Sequence, residues 1–251
     1  MLVHIIAGGA GCRYAAQHGV AAVVVDSLRA SATAAALFAH GARELLVTST
    51  VEDALAIRNA HPDMLLYGER GGMPPAGFDY GNSPSEAVHS RDKCAIFTTT
   101  TGAGRLFQAW GASPLLMGST INSRFVVQYL LKNEIQEVVL IPAGLMNKPD
   151  FDAQEDWVAA SHIAQVLCSS FDEDHAPVWG KGHDFYCTYR KRIDTEGLTQ
   201  LFSTAPHAAK LRAIGKEADI LSCAQTDLFA ALPLAVRRNA NYIVLKDACT
   251  P

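Results

Sequence analysis

No stretch of this sequence approaches the roughly 18 consecutive apolar residues of a membrane span, so the sequence gives no sign of a membrane-embedded protein. It has no basic excess either. Its 21 Lys and Arg stand against 25 Asp and Glu, for a net charge of −4. A nucleic-acid partner, which leaves a basic footprint, is therefore not expected. No pair among Cys12, Cys94, Cys168, Cys187, Cys223 and Cys249 has C-x-x-C spacing, which argues against a zinc knuckle or a dithiol redox motif. Scattered thiols fit a reducing cytoplasm. The G-x-x-x-x-G-K-[ST] phosphate loop is absent. His61, His162, His175, His183 and His207 share no metal-ligand spacing and are read as structural or solvent-facing. There is no repeat, low-complexity tract or Gly/Ser linker. The opening "MLVHIIAGGAGC" has no Lys or Arg before its short apolar run. It is read as a strand and a Gly-rich turn rather than a signal segment.

The chain has 251 residues. At that length it can bury roughly three-quarters of its unfolded surface, so stability needs no disulfide or metal staple. Apolar β-branched runs alternate with helical patterns. "VAAVVV" (20–25), "ELLVTS" (44–49), "MLLYG" (64–68), "CAIF" (94–97), "EVVLIPAG" (137–144) and "YIVLK" (242–246) read as strands. Stretches 30–41, 51–60, 121–133, 155–171 and 206–231 read as helices. Such alternation predicts one α/β domain, a three-layer α/β/α arrangement with a mostly parallel sheet.

Ligands of parallel sheets bind beyond the carboxyl ends of strands. The polar clusters of this chain fall there. "DSLR" follows the strand at 20–25, Glu69-Arg70 the strand at 64–67, "TTTTGAGR" the strand at 94–97, and "AGLMNKPDFDAQEDW" the strand at 137–141. Parallel strands would bring all four to one edge. Asp26 or Ser27 is placed to cap the following helix. Arg29 sits in that helix's first turn, against the macrodipole, which points to an anionic partner. The turn at Thr98–Gly104 can aim backbone N–H groups at an anion, and Arg105 adds a cation. Asp150, Asp152, Glu155 and Asp156 are hard-oxygen candidates for Mg²⁺; alternatively Asp152 and Glu155 form a capping box. The stretch "WGKGHDFYCTYRKR" (179–192) is basic and aromatic. It reads as a solvated helix in preference to a cationic lid or the contact of a homodimer.

The densest polar block is "GERGGMPPAGFDYGNSP" (68–84), with Glu69, Arg70, Asp79 and Asn82 among glycines and prolines. Together with "DSLRAS", "TTTTGAG", "AGLMNKPDFDAQEDWVAASHI" and "GKEADILSCAQTD", it resembles the 2-phosphosulfolactate phosphatase family, often called ComB. The blocks follow the family's order over residues 20–233. The chain departs from the family's usual pattern at Thr101, where Asn is usual, and at Ser27, where Val is usual. The resemblance implies an α/β/α fold and a Mg²⁺-dependent phosphatase. It implies a small anionic phosphoester as substrate, 2-phospho-3-sulfolactate, cleaved to 3-sulfolactate in coenzyme M synthesis. On that basis Asp26, Arg29, Glu69, Arg70, Asp79 and Asp156 are expected to be catalytic. Asp26, Glu69 and Asp79 are expected at the metal. Asn82, Ser83, Thr99, Thr100, Thr101, Gly102 and Arg105 are expected to bind substrate. A haloacid-dehalogenase-like enzyme with Asp26 as nucleophile is the rival enzyme reading. It needs a second Asp at the position Leu28 occupies, which favours direct attack by water. A non-catalytic anion-binding module is the other alternative.

Overall fold

The structure is a computed structural model that describes residues 1–146, 148 and 151–249. The apolar β-branched runs form β1 (Leu2–Ile5), β2 (Ala21–Val25), β3 (Glu44–Thr48), β4 (Leu65–Gly68), β5 (Cys94–Thr98), β6 (Leu115–Met117), β7 (Glu137–Pro142), β8 (Val178–Trp179), β9 (Pro233–Arg238) and β10 (Tyr242–Asp247). Between them lie α1 (Gly8–His18), α2 (Ala30–Ala39), α3 (Val51–Ala60), α4 (Gly102–Gln108), α5 (Ser123–Lys132), α6 (Gln154–Cys168), α7 (His183–Glu196), α8 (Leu198–Thr204), α9 (Pro206–Ala213) and α10 (Glu217–Cys223). The strands join into one sheet in the order β4-β5-β3-β10-β9-β6-β2-β7-β1-β8.

Side chains alternate across that sheet because a strand has period two. On one face Ala22 and Val24 of β2, Leu45 and Val47 of β3, Phe97 of β5 and Ile141 of β7 pack with α2, Cys12 of α1 and Leu106 of α4. On the other face Val23, Val25, Val138 and Leu140 meet Val126 of α5 and Val158, Ile163 and Leu167 of α6. Leu46, Leu66 and Ile96 meet Ala54 of α3 on that side. The result is the expected three layers, α/β/α.

The route by which the strand ends meet differs from the expectation. Strands β3, β4 and β5 are parallel to one another, as are β6, β2, β7, β1 and β8. The β9–β10 hairpin joins the blocks through three antiparallel steps, so the blocks run in opposite senses. In a flat sheet their carboxyl ends would lie on opposite edges. A sheet turns by roughly 20–25° per strand, so the five steps from β5 to β2 accumulate on the order of 100–125°. The sheet curls around α2, and the carboxyl ends of the two blocks converge at the amino end of that helix. Every residue from Ala30 to Phe38 is buried. The sequence "ASATAAALFA" is small-residue rich because sheet and helices close on it from all sides.

Residues 206–231 are not one helix. Gly215, at φ 72°, adopts the left-handed conformation that ends helices, and α10 begins anew at Glu217. Beyond it the chain is tied to the turn at 120–122, with the Asp227 and Phe229 N–H groups donating to Thr120 O (3.1 Å) and Ile121 O (3.0 Å). Nor does Asp152 open a capping box. Helix α6 starts at Gln154, its N-cap is Ala153, and no side chain caps it. No described helix is long and apolar enough to cross a membrane.

Candidate active site

The carboxyl ends of β2, β4, β5 and β7 surround a cavity of about 240 Å³. Asp26, Leu28 and Arg29 line it from β2, Glu69 from β4, Thr100 and Thr101 from β5, and Gly144 and Asp156 from the segment after β7. Asn82, from the loop after β4, and His207 and Lys210, from α9, complete its polar wall.

Asp26 ends β2 and starts α2. Its Oδ1 accepts the Ala30 N–H at 3.1 Å, and its own N–H donates to Ser31 Oγ at 3.0 Å. Burial pushes its carboxyl up to about 6, against the pull of the Ala30 N–H and the charge of His207. Asp156 is brought by α6. Its Oδ1 accepts the Ser27 N–H at 2.8 Å and its Oδ2 the Gly144 N–H at 3.0 Å. Its carboxyl is raised well above the usual Asp range by burial and then by the charges of Glu155 and Asp26. Each carboxylate removed from water disfavours its own ionised form and that of its neighbour.

Glu69 ties two loops together. Its Oε1 accepts the Thr100 N–H at 2.7 Å, while its Oε2 accepts the Gly72 N–H at 2.9 Å and Thr100 Oγ1–H at 3.1 Å. Arg29 is 2 % exposed. Its Nη1 pairs with Asp219 Oδ2, and its Nη2 donates to Gly72 O at 2.9 Å. Ser83 Oγ donates to the other Asp219 oxygen. Glu155 meets His207 Nδ1 at 3.2 Å from beneath the cavity wall.

Gly102 is where α4 meets α2. A Cβ there would lie 2.5 Å from the Cβ of Ala30 and 2.9 Å from Asp26 Oδ2. Gly102→Ala is therefore expected to push the two helix ends apart, lowering stability by about 1–3 kcal/mol as overpacking does. Urea unfolding measures this, and a variant as stable as the parent would show that the contact is not tight.

The structure does not bring every expected residue to the cavity. Arg70 turns away, donating to Glu69 O (2.7 Å), Thr98 Oγ1 (3.0 Å) and Ser49 O (3.2 Å). Asp79 ion-pairs with Arg58 and accepts the Leu66 N–H at 2.8 Å. Burial raises its carboxyl, but the Arg58 hydrogen bond, the Leu66 N–H and the Arg58 charge outweigh that and lower it. It pins the loop to the edge strand β4, far from the ligand role expected of it. Thr99 Oγ1 accepts the Ala103 N–H at 3.0 Å in the first turn of α4. Ser83 acts through Asp219. Arg105 lies behind the wall, donating from Nε to Ala143 O at 2.8 Å. Asp150 lies outside the described residues. The basic stretch 179–192 forms most of α7, and none of its residues lines the cavity.

The converse also occurs. His207, expected from its spacing to be structural or solvent-facing, lines the cavity. Lys210 also lines it, and Asp219 holds Arg29, with no sequence expectation for either. For Asp219 a signal existed, since it stands in the block "GKEADILSCAQTD". For His207 and Lys210 there was none, because "PHAAKLRA" has no distinctive spacing.

Among the described residues no group of three His, Cys, Asp or Glu side chains is placed to hold a metal ion. The oxygens that are present suit a sparser site. Asn82 Oδ1 and Thr101 Oγ1 are buried without a hydrogen-bond partner, and both residues line the cavity with Asp26 and Glu69. An all-oxygen set with one or two carboxylates is what Mg²⁺ takes when water and substrate complete its shell.

The family model described as "2-phosphosulpholactate phosphatase" matches residues 12–238. The chain belongs to this family. Its members are phosphoric monoester hydrolases. A protein of Deinococcus radiodurans named "Probable 2-phosphosulfolactate phosphatase" is 34 % identical over 224 residues, covering 86 % of this chain and 87 % of its own. One of Thermus thermophilus with the same name is 32 % identical over 232 residues, 90 % of this chain and 92 % of its own. One of Thermosynechococcus vestitus, also so named, is 31 % identical over 219 residues, 86 % and 88 %. The matched span contains every residue of the cavity wall named above.

Proposed function

We propose that this chain is a Mg²⁺-dependent phosphatase that hydrolyses 2-phospho-3-sulfolactate to 3-sulfolactate and phosphate in the cavity at Asp26. The observation that carries this reading is the pairing of two buried carboxylates with raised proton affinity, Asp26 and Asp156, opposite a buried arginine in a space of about 240 Å³. Such a space takes a small ligand only. Arg29 and Lys210 supply the positive side of the wall, as a substrate with several anionic groups requires. The reading carries with it a cytoplasmic enzyme of coenzyme M synthesis.

Asp26, Glu69, Asn82 and Thr101 would hold the metal. When bound, Mg²⁺ supplies positive charge against the phosphoryl oxygens. Arg29 lines the cavity and is held rigid by Asp219 and Gly72, so its charge would act on the phosphoryl group without reorganising, the arrangement in which electrostatic stabilisation is strongest. Asp156 keeps a proton to higher pH than an ordinary carboxylic acid and is placed to give it to the departing ester oxygen. This removes the reason for preferring direct attack that rested on Leu28, since Asp156 provides an acid to either route. Direct attack by water remains the reading. Asp26 is occupied as a ligand and so is not free to attack phosphorus, which leaves water as the nucleophile and Asp156 as the acid. One in-line displacement inverts configuration at phosphorus; a phosphoenzyme formed on Asp26 would retain it.

Phosphate release from 2-phospho-3-sulfolactate should exceed release from phosphorylated acids lacking the sulfonate. It should vanish in EDTA and return with Mg²⁺. Full turnover by a verified metal-free protein would overturn the metal assignment. No turnover of any small phosphoester would favour the anion-binding module.

A further inference from the structure

A second cavity, of about 510 Å³, lies on the far side of the Gly144–Leu145 segment, which lines both. Its floor is the amino end of α1, the glycine-rich turn "AGGAG". That helix has no side-chain cap and no acidic residue in its first turn, so among the described residues the N–H groups of Gly8, Gly9 and Ala10, which line the cavity, have no acceptor. Two arginines close on the same place. A Cβ on Gly9 would lie 3.1 Å from Arg13 Nη1 and 3.5 Å from Arg105 Nη1, and one on Gly8 3.3 Å from Arg105 Nη2.

Arg105 is the independent observation. It is 6 % exposed, and burial lowers its proton affinity. Its Nε donates to Ala143 O and its Nη1 to Gln108 Oε1 at 2.9 Å. Among the described residues it forms no ion pair and Nη2 has no acceptor. Buried charges are ordinarily paired; Asp26 and Asp156 act on Arg105 through space from the catalytic cavity without a hydrogen bond to it, while among the described residues the full charge that shares this second space with it is a cation, Arg13. No acidic side chain is among the described residues that line the space. Two guanidiniums, a helix amino end and a glycine with no side chain in the way form a cradle for negative charge.

We propose that this cradle is a second binding site, distinct from the catalytic cavity, for a tetrahedral oxyanion: a phosphate or a sulfonate. The oxyanion has two sources in the proposed reaction. One is inorganic phosphate, bound as free product. The other is the sulfonate end of a substrate that reaches past the Gly144–Leu145 segment. The site itself does not depend on the phosphatase reading, because its occupancy can be measured without turnover.

The probe is inorganic phosphate, titrated calorimetrically into the full chain in EDTA. Two variants report on the cradle. Arg13→Gln removes a charge at an exposed position. Gly9→Ala fills the cradle without changing charge, at a backbone position outside the left-handed region. Each is expected to weaken phosphate binding at least tenfold, with unchanged circular dichroism. Kinetics then separate the two sources. If the occupant is free phosphate, product inhibition weakens in both variants and KM for 2-phospho-3-sulfolactate stays put. If it is the sulfonate, that KM rises tenfold or more, while KM for p-nitrophenyl phosphate does not move. Phosphate affinity and both KM values equal to the parent's in both variants would overturn the site.

Discussion

Asp26→Asn is expected to abolish phosphoester hydrolysis, by roughly 10³-fold or more in kcat, and at the same time to make the metal-free protein more stable at neutral pH. The activity loss follows from removing one member of a unit that acts together. The stability gain follows from burial. Asn keeps a carbonyl oxygen to accept the Ala30 N–H, so that hydrogen bond at the start of α2 survives. It has no charge to bury. In the folded chain the Asp26 carboxyl is pushed from an ordinary 3.8 up to about 6. Between those pH values the folded chain holds a proton that the unfolded chain has lost. The unfolded state binds fewer protons there, so stability falls as pH rises from about 4 to about 6 and the deficit is complete above that window. At roughly 1.4 kcal/mol per pH unit, the deficit is on the order of 2–3 kcal/mol. Urea unfolding in EDTA should therefore show the variant ahead of the parent at pH 7 and the gap reduced to roughly a third by pH 4.5. An equal gap at both values would show that Asp26 ionisation is not its origin. Mg²⁺ gives a second readout. It should raise the melting temperature of the parent by offsetting the buried charge, and should leave that of the variant unmoved.

The second large effect is at a residue that touches no substrate in this reading. Asp219→Ala should lose about 3–5 kcal/mol of stability, the usual consequence of leaving one partner of a buried ion pair uncompensated. Arg29, Asp219 and Ser83 are 2 %, 3 % and 1 % exposed. Removing the carboxylate strands the Arg29 guanidinium in the wall and deprives Ser83 Oγ of its acceptor. Activity should fall too, because Asp219 and Gly72 O together fix the guanidinium of Arg29, which lines the cavity. Stability and function can be separated. The double replacement Arg29→Met with Asp219→Leu removes both charges and should recover much of the folding energy, but none of the turnover. Chemical denaturation of the two proteins decides. A single variant within about 1 kcal/mol of the parent would mean that solvent reaches Arg29, against a burial that marks large destabilisation.

Much of this protein was legible in its sequence. Strand runs such as "VAAVVV" and "EVVLIP" are fixed by local pattern, since burial on both faces selects continuous β-branched residues. The positions of Asp26, Glu69, Thr100 and Asp156 just past strand ends followed from the same reading, as did the likeness of "GERGGMPPAGFDYGNSP" to a known family. Strand sense was not legible. β9 lies in a stretch with no strong pattern, and without the β9–β10 hairpin the two blocks would be taken as parallel. Only the curl of the completed sheet around α2 brings Thr101 and Gly102 against Asp26. Roles within a cluster were not legible either. Arg70 and Asp79 stand in the most distinctive motif, yet their side chains hold loops through Thr98, Ser49 and Arg58. His207, Lys210 and Asp219 complete the wall and lock its arginine from sequence some 180 residues beyond Asp26 or more. Local sequence determines which segments become strands and helices, because period and propensity act over a few residues. Which charges meet is decided by tertiary packing, because that depends on pairings between residues the chain keeps far apart.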